Sequence, residues 1–219
     1  MIIRQLIDPS VPTLSMADTG TNALALMEQH QLHQLPLVGD EVYLALVDED
    51  DIRAWETPEQ PLSNADFFEK KLAVLAEGHP FEALRIANSK ELDIVPVIDP
   101  DGHYVGAITL RRLMQYFTES SGIDNPGGII ILEVAPRDYN LSEIARICEN
   151  EEVSILSLQL HSVADGRIEI TLKTNRTNIT ALANAFERYG MQVNEVYTEH
   201  HDLDDIKERY GLLMNYINM

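Results

Sequence analysis

One four-residue pattern constrains this chain more than any other. Leu35-Pro36-Leu37-Val38 returns sixty residues later as Val95-Pro96-Val97-Ile98. A short helical pattern precedes each copy, carried by Ala23, Leu24, Met27 and Leu32 in the first and by Ala83, Leu84, Ala87 and Leu92 in the second. A second apolar strand follows each, over 42–47 and 104–109, and then a helix-like run over 49–55 and 110–117. In the second copy Asp99-Pro100-Asp101-Gly102 joins the strands: Pro fixes φ, and Gly accepts a positive φ. A unit of this size buries too little apolar surface to stand alone, so the two copies should pack against each other.

The rest of the chain divides at 119–128, where Ser120-Ser121-Gly122, Asn125-Pro126 and Gly127-Gly128 punctuate two strongly patterned regions. Beyond it, 128–134 is a glycine-bounded β run, and 141–149 has helical spacing with Asn140 as its N-cap. Two alternating strands follow, 154–162 and 167–173, separated by Ala164-Asp165-Gly166. A helix over 178–189 stops at Gly190, and a last strand spans 191–197. The order β-α-β-β-α-β is the ferredoxin-like plan. In the remaining stretch Leu203, Ile206, Tyr210, Leu213, Met214 and Ile217 form one apolar stripe on a helix with an acidic first turn. That stripe packs on its own domain or on a second copy.

Composition narrows the partners. Sixteen Lys and Arg stand against 36 Asp and Glu, a net charge of −20 shared by both halves. Such a surface repels phosphate backbones and anionic lipid, so neither nucleic acid nor a membrane is an expected partner. A single cysteine, Cys148, excludes an internal disulfide framework and fits a reducing cytoplasm. No signal peptide is evident, and no eighteen apolar residues run together.

The repeated helix, Leu/Val-Pro-hydrophobic-hydrophobic strand, second strand and charged helix start resemble a tandem pair of CBS domains, a Bateman module. The resemblance implies a pseudo-symmetric disc with two clefts that often bind adenine nucleotides. It further implies a Gly-x-hydrophobic-Ser/Thr-x-x-Asp pattern at the end of each second strand, its hydroxyl on phosphate and its carboxylate on ribose. The first copy, Ala45 to Asp51, keeps the carboxylate as Asp51 but has Asp48 at the hydroxyl position. The second, Gly106 to Arg112, keeps the hydroxyl as Thr109 but has Arg112 at the carboxylate position. A carboxylate at Asp48 opposes phosphate, whereas Thr109 with Arg111 or Arg112 at a helix start can receive an anion. The candidate ligand-binding residues are therefore Asp51, Thr109, Arg111 and Arg112, with Pro36 and Pro96 of the two strands.

The second half resembles an ACT domain, and the combination is similar to CBS–ACT proteins of the acetoin-utilisation type. ACT domains commonly bind amino acids where copies pair. Here the loop before the first helix, Pro136 to Leu141, lacks the glycine that admits a ligand, which favours a pairing role.

Catalytic motifs are absent: no phosphate-binding glycine loop, no dinucleotide fingerprint and no serine elbow. Cys148 sits on an apolar helix face and reads as a structural thiol. His200-His201-Asp202 has no fixed ligand spacing and the His30/His33 pair lacks a third ligand, so neither reads as a metal site; Asp48 to Asp51 could attract Mg²⁺ in the first cleft, the lesser reading beside a solvated acidic helix start. The expectation is an α+β chain: CBS unit 1 at 1–56, CBS unit 2 at 57–118, a linker at 119–127, a ferredoxin-like (βαββαβ) ACT domain at 128–197 and a C-terminal helix at 198–219. Its expected role is that of a cytoplasmic, homodimeric, non-enzymatic regulator. It would sense a small-molecule effector, an adenine nucleotide or relative, and pass the signal to the ACT domain and an unknown protein partner; no cofactor or metal is expected. A structural or interaction module with ligand-free clefts is the alternative.

Overall fold

The computed structural model describes residues 2–66, 68, 71–163 and 165–198; the expected helix at 198–219 lies outside the described residues apart from Thr198. Two compact units divide the chain, Met1–Phe117 and Thr118–Met219.

In the first unit, helix α1 (Gly20–His30) starts where the Thr19 hydroxyl accepts the Asn22 N–H, and it ends on Gln31 in the left-handed conformation. Strand β1 (Gln34–Gly39) then pairs antiparallel with β2 (Val42–Asp48), and α2 (Glu49–Ala54) follows. The second copy repeats these steps. A two-residue strand β3 (Val74–Leu75) precedes α3 (Pro80–Lys90), β4 (Ile94–Ile98), β5 (Tyr104–Thr109) and α4 (Leu110–Ser120). The short β3, which the apolar patterning does not announce, pairs parallel with β4; its counterpart in the first copy is a single parallel bridge from Leu14 to Leu37.

The two copies meet along a pseudo-twofold axis, as their size requires. Val42 bridges His103, the Tyr43 N–H donates to the Gly102 carbonyl, and the Tyr104 N–H donates to the Glu41 carbonyl. The rings of Tyr43 and Tyr104 stack across the axis at 6.4 Å. Tyr43, Leu46, Leu92, Ile94 and Ala107 form a core shared between the copies.

Segments between elements are exchanged. Ile3 and Leu6, at the start of the 1–56 stretch, are buried with Val95, Ile108 and Leu113 of the second copy. Leu62, which precedes the second copy, is buried with Leu14, Leu35 and Ile52 of the first. Each such side chain contributes about 1.5–3 kcal/mol by leaving water. Neither copy therefore contains its whole core.

The second unit has the ferredoxin-like plan that its patterning indicates. Strands β6 (Ile129–Val134), β7 (Ile155–Ser162), β8 (Ile168–Thr174) and β9 (Gln192–Tyr197) form one antiparallel sheet in the order β7-β8-β6-β9. Helices α5 (Leu141–Asn150) and α6 (Thr180–Arg188) supply the connections. Alternate residues Ile130, Leu132 and Val134 of β6 face a core with Ile144, Ile147 and Phe186. Gly127 is required by close approach: a Cβ there would stand 1.8 Å from the Thr174 carbonyl oxygen.

Candidate functional site

The site lies in the first unit, and its construction starts from the ends of the second strands. The Thr109 hydroxyl accepts the Arg112 N–H at 3.2 Å and so caps α4. At the corresponding place Asp48 accepts the Asp50 N–H at 3.0 Å and caps α2, with Gln34 Nε2 donating to its other oxygen at 3.3 Å. An aspartate caps a helix as well as a threonine does, which gives Asp48 a structural reason. The two positions share a capping role and differ in charge.

A cavity of about 290 Å³ opens beside Thr109. The chain contributes to it from four places: Asp8 and Ser10 of the initial segment, His30 and Leu32 from the end of α1, Asp93 before β4, and Thr109 with Arg111 at the α4 start. The Asp8 main chain is fixed by its N–H donating to the Ala107 carbonyl at 2.8 Å. Its Oδ1 accepts both the N–H of Ser10 at 3.0 Å and its hydroxyl at 2.6 Å. Its Oδ2 receives only a long contact, 3.5 Å, from the Thr109 hydroxyl. The Ser10 hydrogen bonds, with smaller contributions from Arg111 and Thr109, hold the Asp8 carboxyl below the ordinary aspartate range despite its partial burial. Gly106, three residues before Thr109 at the end of β5, lies against Ile7: a Cβ there would stand 2.5 Å from Ile7 Cγ2, so a side chain would displace the strand or the segment carrying Asp8.

Asp93 ties the cavity wall to the axis between the copies. Its Oδ2 accepts the His33 N–H at 2.9 Å and faces His33 Nδ1 at 2.5 Å. The hydrogen bond and the charge of Asp93, with Glu49 and Asp48 adding to them, raise the His33 pKa. Buried Gln34 completes the junction by accepting the Asp93 N–H at 3.0 Å.

The residues singled out from sequence are thus distributed. Thr109 and Arg111 line the cavity. Arg112 is one residue further along α4, and its guanidinium donates to Gln115 at 2.9 Å. Asp51 lines a separate depression of about 500 Å³ with Trp55, Glu56, Asn64 and Asp66. Pro36 and Pro96 are buried within β1 and β4, opposite Leu46 and Ala107, and neither lines the cavity. Sequence reasoning did not reach Asp8, Ser10 or Asp93. Asp93 was within reach, since a sixty-residue offset superposes it on His33; Asp8 carries no repeat signal.

Elsewhere, Asp99, Asp101 and His103 bring potential metal-ligating atoms within 4.8 Å of one another. The Asp99 carboxylate already holds the turn, accepting N–H groups from Asp101 and His103. In the second unit the Asn140 side chain accepts the N–H groups of Ser142 and Glu143, so it is occupied in capping α5. No helix among the described residues is long and apolar enough to cross a membrane.

Comparison with known proteins matches about half of the chain. The CBS domain family model matches residues 3–56 and 69–119. A CBS domain-containing protein of Dictyostelium discoideum is 25% identical over 52% of this chain and 89% of its own length. A CBS domain pair/ACT domain protein from Thermotoga maritima shares 17% identity, covering 54% of this chain and 98% of that one with a TM-score of 0.48. AcuB from Vibrio cholerae, described as an acetoin utilization protein, shares 18% identity over 54% of this chain and 91% of that one, with a TM-score of 0.47.

Proposed function

We propose that residues 3–56 and 69–119, which the CBS domain family model matches, are two CBS domains in tandem, and that the chain is a non-enzymatic regulatory protein that takes an adenine nucleotide or related nucleoside in the cavity beside Thr109. The observation that carries this reading is the convergence on one concave site of a hydroxyl, a guanidinium and two carboxylates from three separate stretches of chain. Small-molecule sites combine an apolar wall with a few convergent polar groups of this kind. Val11, Leu32 and Leu110 provide the wall for a flat base, Arg111 an anion partner, and the carboxylates acceptors for hydroxyl groups.

The occupied site would regulate through the pseudo-twofold axis. The cavity is lined by residues of both copies, so a ligand that binds one relative arrangement of the copies more tightly shifts the population toward it. The second unit, read as an ACT-like pairing domain, would receive that change in a cytoplasmic homodimer and present it to a protein partner. The first copy's corresponding position favours a structural role, because Asp48 brings a negative charge to the helix cap where Thr109 brings a neutral hydroxyl.

A thermal-shift and calorimetric panel on the full chain tests the reading, with adenosine, AMP, ADP and ATP as probes. A ligand at a hundredfold excess over Kd stabilises the native state by about 2.7 kcal/mol. Binding that Arg111→Ala weakens supports the site; no shift from any probe would overturn it in favour of a ligand-free structural module. Hydrogen exchange in α5 and α6 with and without ligand tests the coupling, which unchanged protection would refute.

A further inference from the structure

The charges around the cavity restrict what can occupy it. Two carboxylates, Asp8 and Asp93, line it against one guanidinium, Arg111. Asp93 is engaged by His33 through both its N–H and its ring. Asp8 differs: Ser10 occupies Oδ1 alone, and Oδ2 has acceptor capacity to spare because its contact with Thr109 is long. A carboxylate so placed accepts hydroxyl donors and repels phosphate oxygens. Any phosphate seated on the Thr109 hydroxyl would lie within a few ångströms of Asp8 Oδ2, since the two protein oxygens are themselves 3.5 Å apart.

We infer that Asp8 is the group that receives the sugar hydroxyls of the ligand, and that the cavity selects nucleosides carrying at most one phosphate over nucleoside di- and triphosphates. The inference rests on the nucleoside reading above and deepens it. Arg111 offsets the first negative charge; each further phosphate adds like charge beside Asp8, and among the described residues lining the cavity there is no second Lys or Arg to meet it, His30 being the one other basic side chain. A neighbouring like charge at such range disfavours an ionised group by about tenfold or more.

The test is isothermal titration of the full chain, in metal-free buffer at fixed salt, with adenosine, 2′-deoxyadenosine, AMP, ADP and ATP. For the unmodified protein the expected order is adenosine and AMP tightest, ATP weaker by about tenfold or more, and 2′-deoxyadenosine weaker than adenosine by a similar factor. In Asp8→Asn the penalty on ATP should shrink, and adenosine and 2′-deoxyadenosine should bind alike. Asp8→Glu keeps the charge but moves the oxygens. It should retain the discrimination against ATP while losing the preference for the ribose hydroxyl, and melting curves of both variants verify folding. ATP binding as tightly as AMP, or both preferences surviving in Asp8→Asn, would overturn the role of Asp8 while leaving the nucleoside site standing. Failure of every adenine compound to bind would overturn the site and this inference together.

Discussion

His33 and Asp93 stand at corresponding places in the two copies and meet each other, His33 Nδ1 lying 2.5 Å from Asp93 Oδ2. The same two residues anchor the helices that follow their strands: the His33 carbonyl accepts the Glu49 N–H at 2.8 Å, and the Asp93 carbonyl accepts the Leu110 N–H at 2.7 Å. Backbone symmetry is kept, while the side chains have become an ion pair across the axis.

That pair gives the first unit a pH dependence of defined sign. The folded-state pKa of His33 is raised by Asp93, with Glu49 and Asp48 in support. Its contribution to stability is therefore complete below the ordinary histidine pKa and is lost as pH rises through the raised one. For an exposed pair the effect is about 0.2–1 kcal/mol. His103 is shifted the same way by Asp99, so the variants are compared in the presence of that second contribution. Melting temperatures of the unmodified chain should fall from about pH 6 to about pH 8 by more than those of His33→Gln. Equal slopes would show that the pair contributes nothing.

The exchanged segments make the two copies one cooperative structure. Leu62 and Ile3 are both fully buried, Leu62 of the connecting segment in the first copy's core and Ile3 of the segment before the first copy in the second copy's core. Truncating either to alanine should cost about 2–5 kcal/mol. The sole tryptophan, Trp55, packs against the first copy's core and reports on it. In urea titrations followed by its fluorescence, Ile3→Ala should lower the midpoint about as much as Leu62→Ala does. A midpoint unmoved by Ile3→Ala would mean that the copies unfold independently.

Cys148 should be nearly inert in the folded chain. It is buried in the second unit's core, and burial pushes its thiol up to about 11. Only the thiolate attacks a disulfide reagent, so labelling at neutral pH should proceed at the rate of local or global opening. Labelling as fast as that of an unfolded control would contradict the burial.

Gly127→Ala probes the same unit from its first strand. The added Cβ would meet a carbonyl oxygen, which cannot turn aside as a flexible side chain can. A loss of about 2–4 kcal/mol is expected, with a matching acceleration of Cys148 labelling. Unchanged labelling would show that the strand shifts without strain.

The architecture was legible where periodicity reports it. The repeat at Leu35 and Val95, the alternation of Ile130, Leu132 and Val134, and the Asn140 cap each encode a local geometry, and each is found. Burial against a remote segment leaves no such trace. Ile3 and Leu6 belong to a four-residue helical turn with no period to read, and β3 is two residues long. The cavity was half legible for the same reason. Thr109 and Arg111 belong to a motif; Asp8 reaches them only because its main chain is hydrogen-bonded to Ala107.

The exchange of segments also sets a timetable for synthesis. Ile3 leaves the ribosome well before Leu113, with which it is buried and which follows about a hundred residues later. At about 5–20 residues per second, the opening segment waits on the order of 5–20 s with its apolar side chains unsheltered. During that interval the nascent chain offers chaperones a short hydrophobic handle, which disappears when the second copy closes over it.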